Sequence, residues 1–135
     1  MYPWFTHQHD AAFQSGLSAT EVMTVFDDGN LRHQQCSGGN SRGMVLSVSE
    51  VTKTVWIQLA ADLGHYDGAL GSAQLLSSSS NQLYASFGSG LLFLPGDASE
   101  SVESDAAGNL VYELQAAGWS YRTYRYRDLY TPTLP

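Results

Sequence analysis

The sequence predicts an all-β chain of antiparallel four-stranded meanders, arranged as blades of a β-propeller. Three observations predict it. Short runs rich in Val, Leu, Tyr, Phe and Thr recur along the 135 residues. Turn signals built on Gly, Asn, Asp and Pro separate them. The order of the runs then repeats after about 60 residues, which marks a repeat architecture.

The elements follow in order. His7 to Asp10 reads as the first, channel-lining strand, ended by the turn at Ser15-Gly16. Glu21 to Phe26 reads as the second. A short helix competes there, because Ser18-Ala19-Thr20-Glu21 has capping-box spacing and Val22, Met23, Val25 and Phe26 fit one helix face. The repeat decides for a strand. Turns at Asp28-Gly29 and Ser37-Gly38-Gly39-Asn40 lead to a strand over Gly43 to Val48. Thr52 to Leu59 is the next. β-Branched and aromatic residues lose rotamer freedom in a helix, and the run from Val51 to Ile57 consists almost entirely of them. After Asp67-Gly68, a second set begins at Gly71 to Gln74 and crosses turn residues Ser77 to Asn81. It continues through Gln82 to Phe87, the turn at Pro95-Gly96-Asp97, Val102 to Asp105, Ala107-Gly108-Asn109 and Asn109 to Leu114. Ser120 to Arg127 reads as the first strand of a third set.

In this repeat Phe26 aligns with Phe87, and Leu46 with Val102. The chain is thus expected to be a single partial propeller domain over 1–135. It holds blade-like repeats over 5–60 and 71–116 and an extra strand over 120–128, and it reads as a piece of something larger. A blade buries its faces only against neighbours, and a propeller closes with about four to eight blades.

Composition narrows the function. Thirteen acids against six bases, a formal net charge of −7, argue against nucleic acid, whose phosphates need clustered Lys and Arg. Arg122, Arg125 and Arg127 do cluster, interleaved with Tyr121, Tyr124 and Tyr126; a strand with one stacked and one solvated face accounts for them. No apolar run approaches the roughly 20 residues of a membrane span, so no membrane partner is expected. Cys36 is the single cysteine, which excludes an internal disulfide. The polar, aromatic N-terminus predicts no signal peptide, and the compartment stays open.

The candidate site follows from the repeat. Channel-lining strands would bring together His7 to Asp10, Gly71 to Gln74 and Tyr121-Arg122. Two imidazoles, the Gln74 amide and the Arg122 guanidinium suit an anion with developing charge. His7 and His9 alternate, so a strand would point both to one face, where they could chelate a metal or bond to backbone carbonyls. No further His or Cys follows with ligand spacing, so no metal and no cofactor is assigned. His33 and His65 lie near turns and read as surface residues. Asp27-Asp28-Gly29-Asn30 reads as a turn, with calcium binding as the competing use. Arg42 either binds anions or pairs with Asp27 or Asp28. No Gly-x-Ser-x-Gly elbow and no phosphate loop is present.

Six stretches in order then carry a resemblance. They are Gln8-His9-Asp10-Ala11, Val25 to Gly29, Ser41-Arg42-Gly43, Gly71 to Leu76, Glu103-Ser104-Asp105 with Gly108, and Ser120-Tyr121-Arg122 with Arg125. The chain resembles the C-terminal part of the arylsulfotransferase and arylsulfotransferase-like family. The resemblance implies a six-bladed propeller. It implies that His9 attacks a sulfuryl group, releasing a phenol, and that a second phenol takes the group from the sulfohistidine without a nucleotide donor. His7, Arg42, Gln74, Tyr121 and Arg122 would then line the binding site for an aryl sulfate or phenol. The further histidines, arginine and asparagine of the family's site come from earlier blades, which this chain does not contain. Asp10 after the histidine matches the broader group. Three assemblies follow as expectations: a piece without activity alone, a homotrimer of two blades per copy sharing strands by exchange, or blades from another chain. A small non-catalytic β-rich binding module is the alternative.

Overall fold

The computed structural model describes residues 4–14, 20–36, 38–76, 85–92 and 97–126. The turns at Ser15-Gly16, Ser77 to Asn81 and Pro95-Gly96, the start of the expected Gln82 strand, and Arg127 lie outside the described residues. The chain is all-β, with two four-stranded antiparallel sheets. The first runs in the order β1 (Gln8–Gln14), β2 (Glu21–Asp27), β3 (Arg42–Ser49), β4 (Thr54–Asp62). The second runs β5 (Ser72–Leu75), β6 (Ala85–Leu92), β7 (Ala98–Ser104), β8 (Leu110–Ala117). A single helical turn, α1 (Asn30–Gln35), joins β2 to β3.

The helical competitor at Glu21 to Phe26 loses to pairing. β2 bonds to β3 over its whole length, from Glu21 opposite Val48 to Asp27 opposite Arg42. Both faces of β2 are covered, so its apolar run is continuous rather than alternating.

The main core lies between the sheets. Phe26, Val45, Leu59 and Ala61 of the first sheet meet Ala73, Ala85, Phe87 and Val102 of the second. Burying each phenylalanine ring stabilises by about 1.5–3 kcal/mol. Two glycines admit these rings. A Cβ on Gly43 would lie 2.3 Å from the Phe87 ring, and one on Gly71 2.5 Å from the Phe26 ring. Gly71 also has φ +122°, which L side chains rarely adopt. The Thr24 hydroxyl donates across the interface to the Ala73 carbonyl at 3.2 Å.

Phe26 and Phe87 therefore face each other from opposite sheets. Val25, Met44 and Leu46, with Phe5 and Met23, form a second cluster on the far face of the first sheet.

The expected strand from Ser120 to Arg127 is not a regular strand among the described residues. Residues 120–126 run alongside β5, held by side chains and by two backbone bonds, Ser120 N–H to the Gly90 carbonyl (3.0 Å) and Gly71 N–H to the Tyr121 carbonyl (3.5 Å), rather than by a regular ladder. The Thr123 amide donates to Ser72 Oγ (3.0 Å), which donates to the Thr123 carbonyl (2.7 Å). The Gln74 side-chain amide binds the Arg125 backbone at both ends, at 2.8 and 3.0 Å. These side chains occupy the partner sites that a ladder would use. Among the described residues no helix is long and apolar enough to cross a membrane.

Candidate functional site

Two left-handed residues shape the start of β1. His7 has φ 54° and Asp10 φ 50°, and the β1–β2 register shifts between His9 and Ala12. His7 and His9 do not share a regular strand. His7 precedes the strand and is exposed, whereas His9 pairs with Phe26 and is half-buried. His7 remains close enough for its charge to act on His9.

His9 Nδ1 lies 3.2 Å from Asp28 Oδ1 and 3.1 Å from Oδ2. Only the contact to Oδ1 has hydrogen-bond geometry, and the buried Oδ2 has no partner. Asp28 is fully buried, its backbone carbonyl accepting from Ser41 Oγ at 2.9 Å. Burial, then the nearby Asp67 and Asp27 carboxylates, push its carboxyl up to about 8. Burial and the Arg122 guanidinium hold His9 below its ordinary value, opposed by the His7 carbonyl and Asp10. At neutral pH the pair is thus a carboxylic acid facing a neutral imidazole. Asp28 then donates to Nδ1 and the ring proton sits on Nε2. Once Asp28 ionises, the proton moves to Nδ1 and Nε2 presents a lone pair.

Asp10 ties three segments together. Its Oδ2 accepts from the Ala73 amide of β5 at 3.0 Å, and its carboxylate accepts from the Tyr124 hydroxyl at 2.9 and 3.0 Å. Arg122 Nη1 lies 3.3 Å from Asp10 Oδ1, and its guanidinium lies over the Tyr121 ring, 5.1 Å from the centroid. Burial and Asp10 raise the Tyr124 phenol.

The other expected residues divide. Arg122 stands near His9, and Tyr121, well exposed, lies under the Arg122 guanidinium. Gln74 is engaged with the Arg125 backbone, as above, and positions the segment rather than facing a ligand. Arg42 resolves its two readings toward pairing: Nε and Nη2 bind Asp27 Oδ2 at 2.9 and 2.8 Å. Arg32 of α1 joins the same oxygen at 2.7 Å. The Asp27-Asp28 pair, at the turn from β2 to α1, is a buried carboxylate with two guanidinium partners beside a buried carboxyl with an imidazole. His33 and His65 are half-buried at the surface; the His33 ring stacks on Tyr66 at 3.6 Å.

Asp28 and Tyr124 were not read as site residues from the sequence. Two aspartates ending an apolar run, Val25-Phe26-Asp27-Asp28, were the available signal for the first. A concavity of about 360 Å³ lies beside the C-terminal segment, lined by Ser101, Glu103, Tyr112, Leu114, Thr123, Tyr124 and Arg125. Arg125 and Glu103 form an ion pair there.

Comparisons with protein-family models, with curated proteins and with solved structures give no match.

Proposed function

We propose that the chain is a two-blade piece of an arylsulfotransferase-like propeller, binding aromatic or anionic ligands where β1 meets residues 120–126. Sulfuryl transfer through His9 would require further blades, from two more copies or from another chain. The observation that carries the reading is the His9–Asp28 pair beside Arg122. A buried carboxyl orients the imidazole through Nδ1 and directs Nε2 outward as the reacting atom. Arg122 is within reach to balance sulfonate charge. In the proposed step Asp28 is ionised and the ring proton sits on Nδ1; the Nε2 lone pair attacks sulfur, the S–O bond to the aryl group breaks, and the phenolate leaves with the electron pair. The side-by-side placement of β1, β5 and residues 120–126 supports inner strands around a common axis.

The test is intact-mass measurement after incubation with 4-nitrophenyl sulfate, for the wild type and His9→Ala. Gain of one sulfuryl group by the wild type alone supports transfer. No adduct in any assembly state overturns it. The second reading, a binding module without chemistry, is favoured by the concavity at Tyr112, Tyr124 and Arg125. It predicts phenol or aryl sulfate binding that His9→Ala leaves unchanged and Tyr112→Ala weakens.

A further inference from the structure

A second cluster of ionisable side chains lies away from His9. His65 sits in the linker between β4 and β5, held by its carbonyl, which accepts from the Ser41 amide at 2.8 Å. Glu100 is on β7 and Glu113 on β8. Glu100 stands opposite Gln115, and Glu113 opposite Val102, so both glutamates share the sheet face that carries core residue Val102. One donor atom from each of His65, Glu100 and Glu113 lies within 4.8 Å of the others.

Three features point to a ligand. Glu100 is 2% exposed, and its buried Oε2 has no hydrogen-bond partner, a costly state for a carboxylate. His65 Nε2 lies 3.6 Å from Glu100 Oε1. That is long for a hydrogen bond but close to the roughly 3.4 Å edge of a tetrahedron with metal–ligand bonds of about 2.0–2.1 Å. Gln115 Nε2 donates to Glu100 Oε1 (3.2 Å) and Glu113 Oε1 (2.9 Å), an arrangement that orients ligating carboxylates.

We propose that His65, Glu100 and Glu113 form a binding site for one divalent first-row metal ion of the zinc class. One imidazole nitrogen with two carboxylates suits such an ion better than calcium or magnesium, which favour all-oxygen shells. Three protein ligands leave a position for water. The ion would clip the inter-sheet linker to β7 and β8.

The test is calorimetric titration of chelator-treated full chain with Zn²⁺, together with the visible spectrum of the Co²⁺ form. One saturable site per chain is expected, with a tetrahedral Co²⁺ spectrum. His65→Ala and Glu113→Gln, both at partly or fully exposed positions, should each weaken binding about tenfold or more. His9→Ala and Cys36→Ser should leave it unchanged. Absence of saturable binding would overturn the site. Binding that survives His65→Ala and Glu113→Gln, or is lost in His9→Ala or Cys36→Ser, also overturns it.

Discussion

Asp28 is the residue on which the chemistry of His9 turns. Its folded value, about 8, lies above the ordinary 3.8, so the folded state holds this proton more tightly than the unfolded chain. The native state is then relatively favoured at low pH, and this contribution is lost as pH rises from about 4 to 8. Asp28→Asn removes the titration and keeps the shape. Thermal midpoints across that window should fall less steeply with pH in Asp28→Asn than in the wild type; equal slopes would refute the assignment. The same ionisation frees Nε2 of His9. Histidine-directed acylation, or sulfuryl transfer where it occurs, should therefore rise through an apparent pKa near 8. The charged groups facing the pair are Asp27 and Asp67 beside Asp28, and Arg122, Asp10 and His7 beside His9. Asp28→Asn should abolish the rise, read as rate against pH.

Among the elements, packing decides more than propensity. Gly43→Ala brings a methyl group into the Phe87 ring, and such overpacking costs about 1–3 kcal/mol. Urea unfolding should show that loss, and Phe87→Leu in the same chain should recover part of it. A Gly43→Ala chain as stable as the wild type would mean the sheets shift apart freely. Two side chains of β5, Ser72 and Gln74, help to hold the C-terminal segment. Gln74→Leu removes both bonds to Arg125 and should expose residues 120–126 to proteolysis without unfolding the sheets. Cleavage rates that do not change would show that Ser72 and the Asp10–Tyr124 bonds suffice. The outer strand β8 is exposed along its whole length, with Leu110, Val111, Tyr112 and Leu114 on the surface.

For the whole molecule, the open question of assembly has a direct physical reading. Two sheets share one interface, while β8 displays apolar side chains on both of its faces. An exposed apolar edge strand favours association. Under the proposed ring, light scattering should give the mass of a trimer, and Leu114→Lys should lower it toward the monomer. A monomeric wild type would sink the shared ring and with it the case for His9 chemistry in this chain alone.

The β-branched and aromatic runs and the turns between them determined the all-β class and most strands by themselves. Rotamer stiffness and turn chemistry are local properties, readable wherever they occur. Glu21 to Phe26 was ambiguous locally, and pairing with β3 settled it. Tertiary structure alone decided the rest. Residues 120–126 have strand composition, but Ser72 and Gln74 take the ladder's place. His7 and His9 alternate in sequence, but His7 stands outside β1 with φ 54°, while His9 pairs with Phe26. Asp27-Asp28 has the composition of a turn, yet both acids are buried, one between two arginines and one against His9. Which face a side chain takes, and which charge it meets there, depends on residues far away in the chain. Spacing carries no record of them.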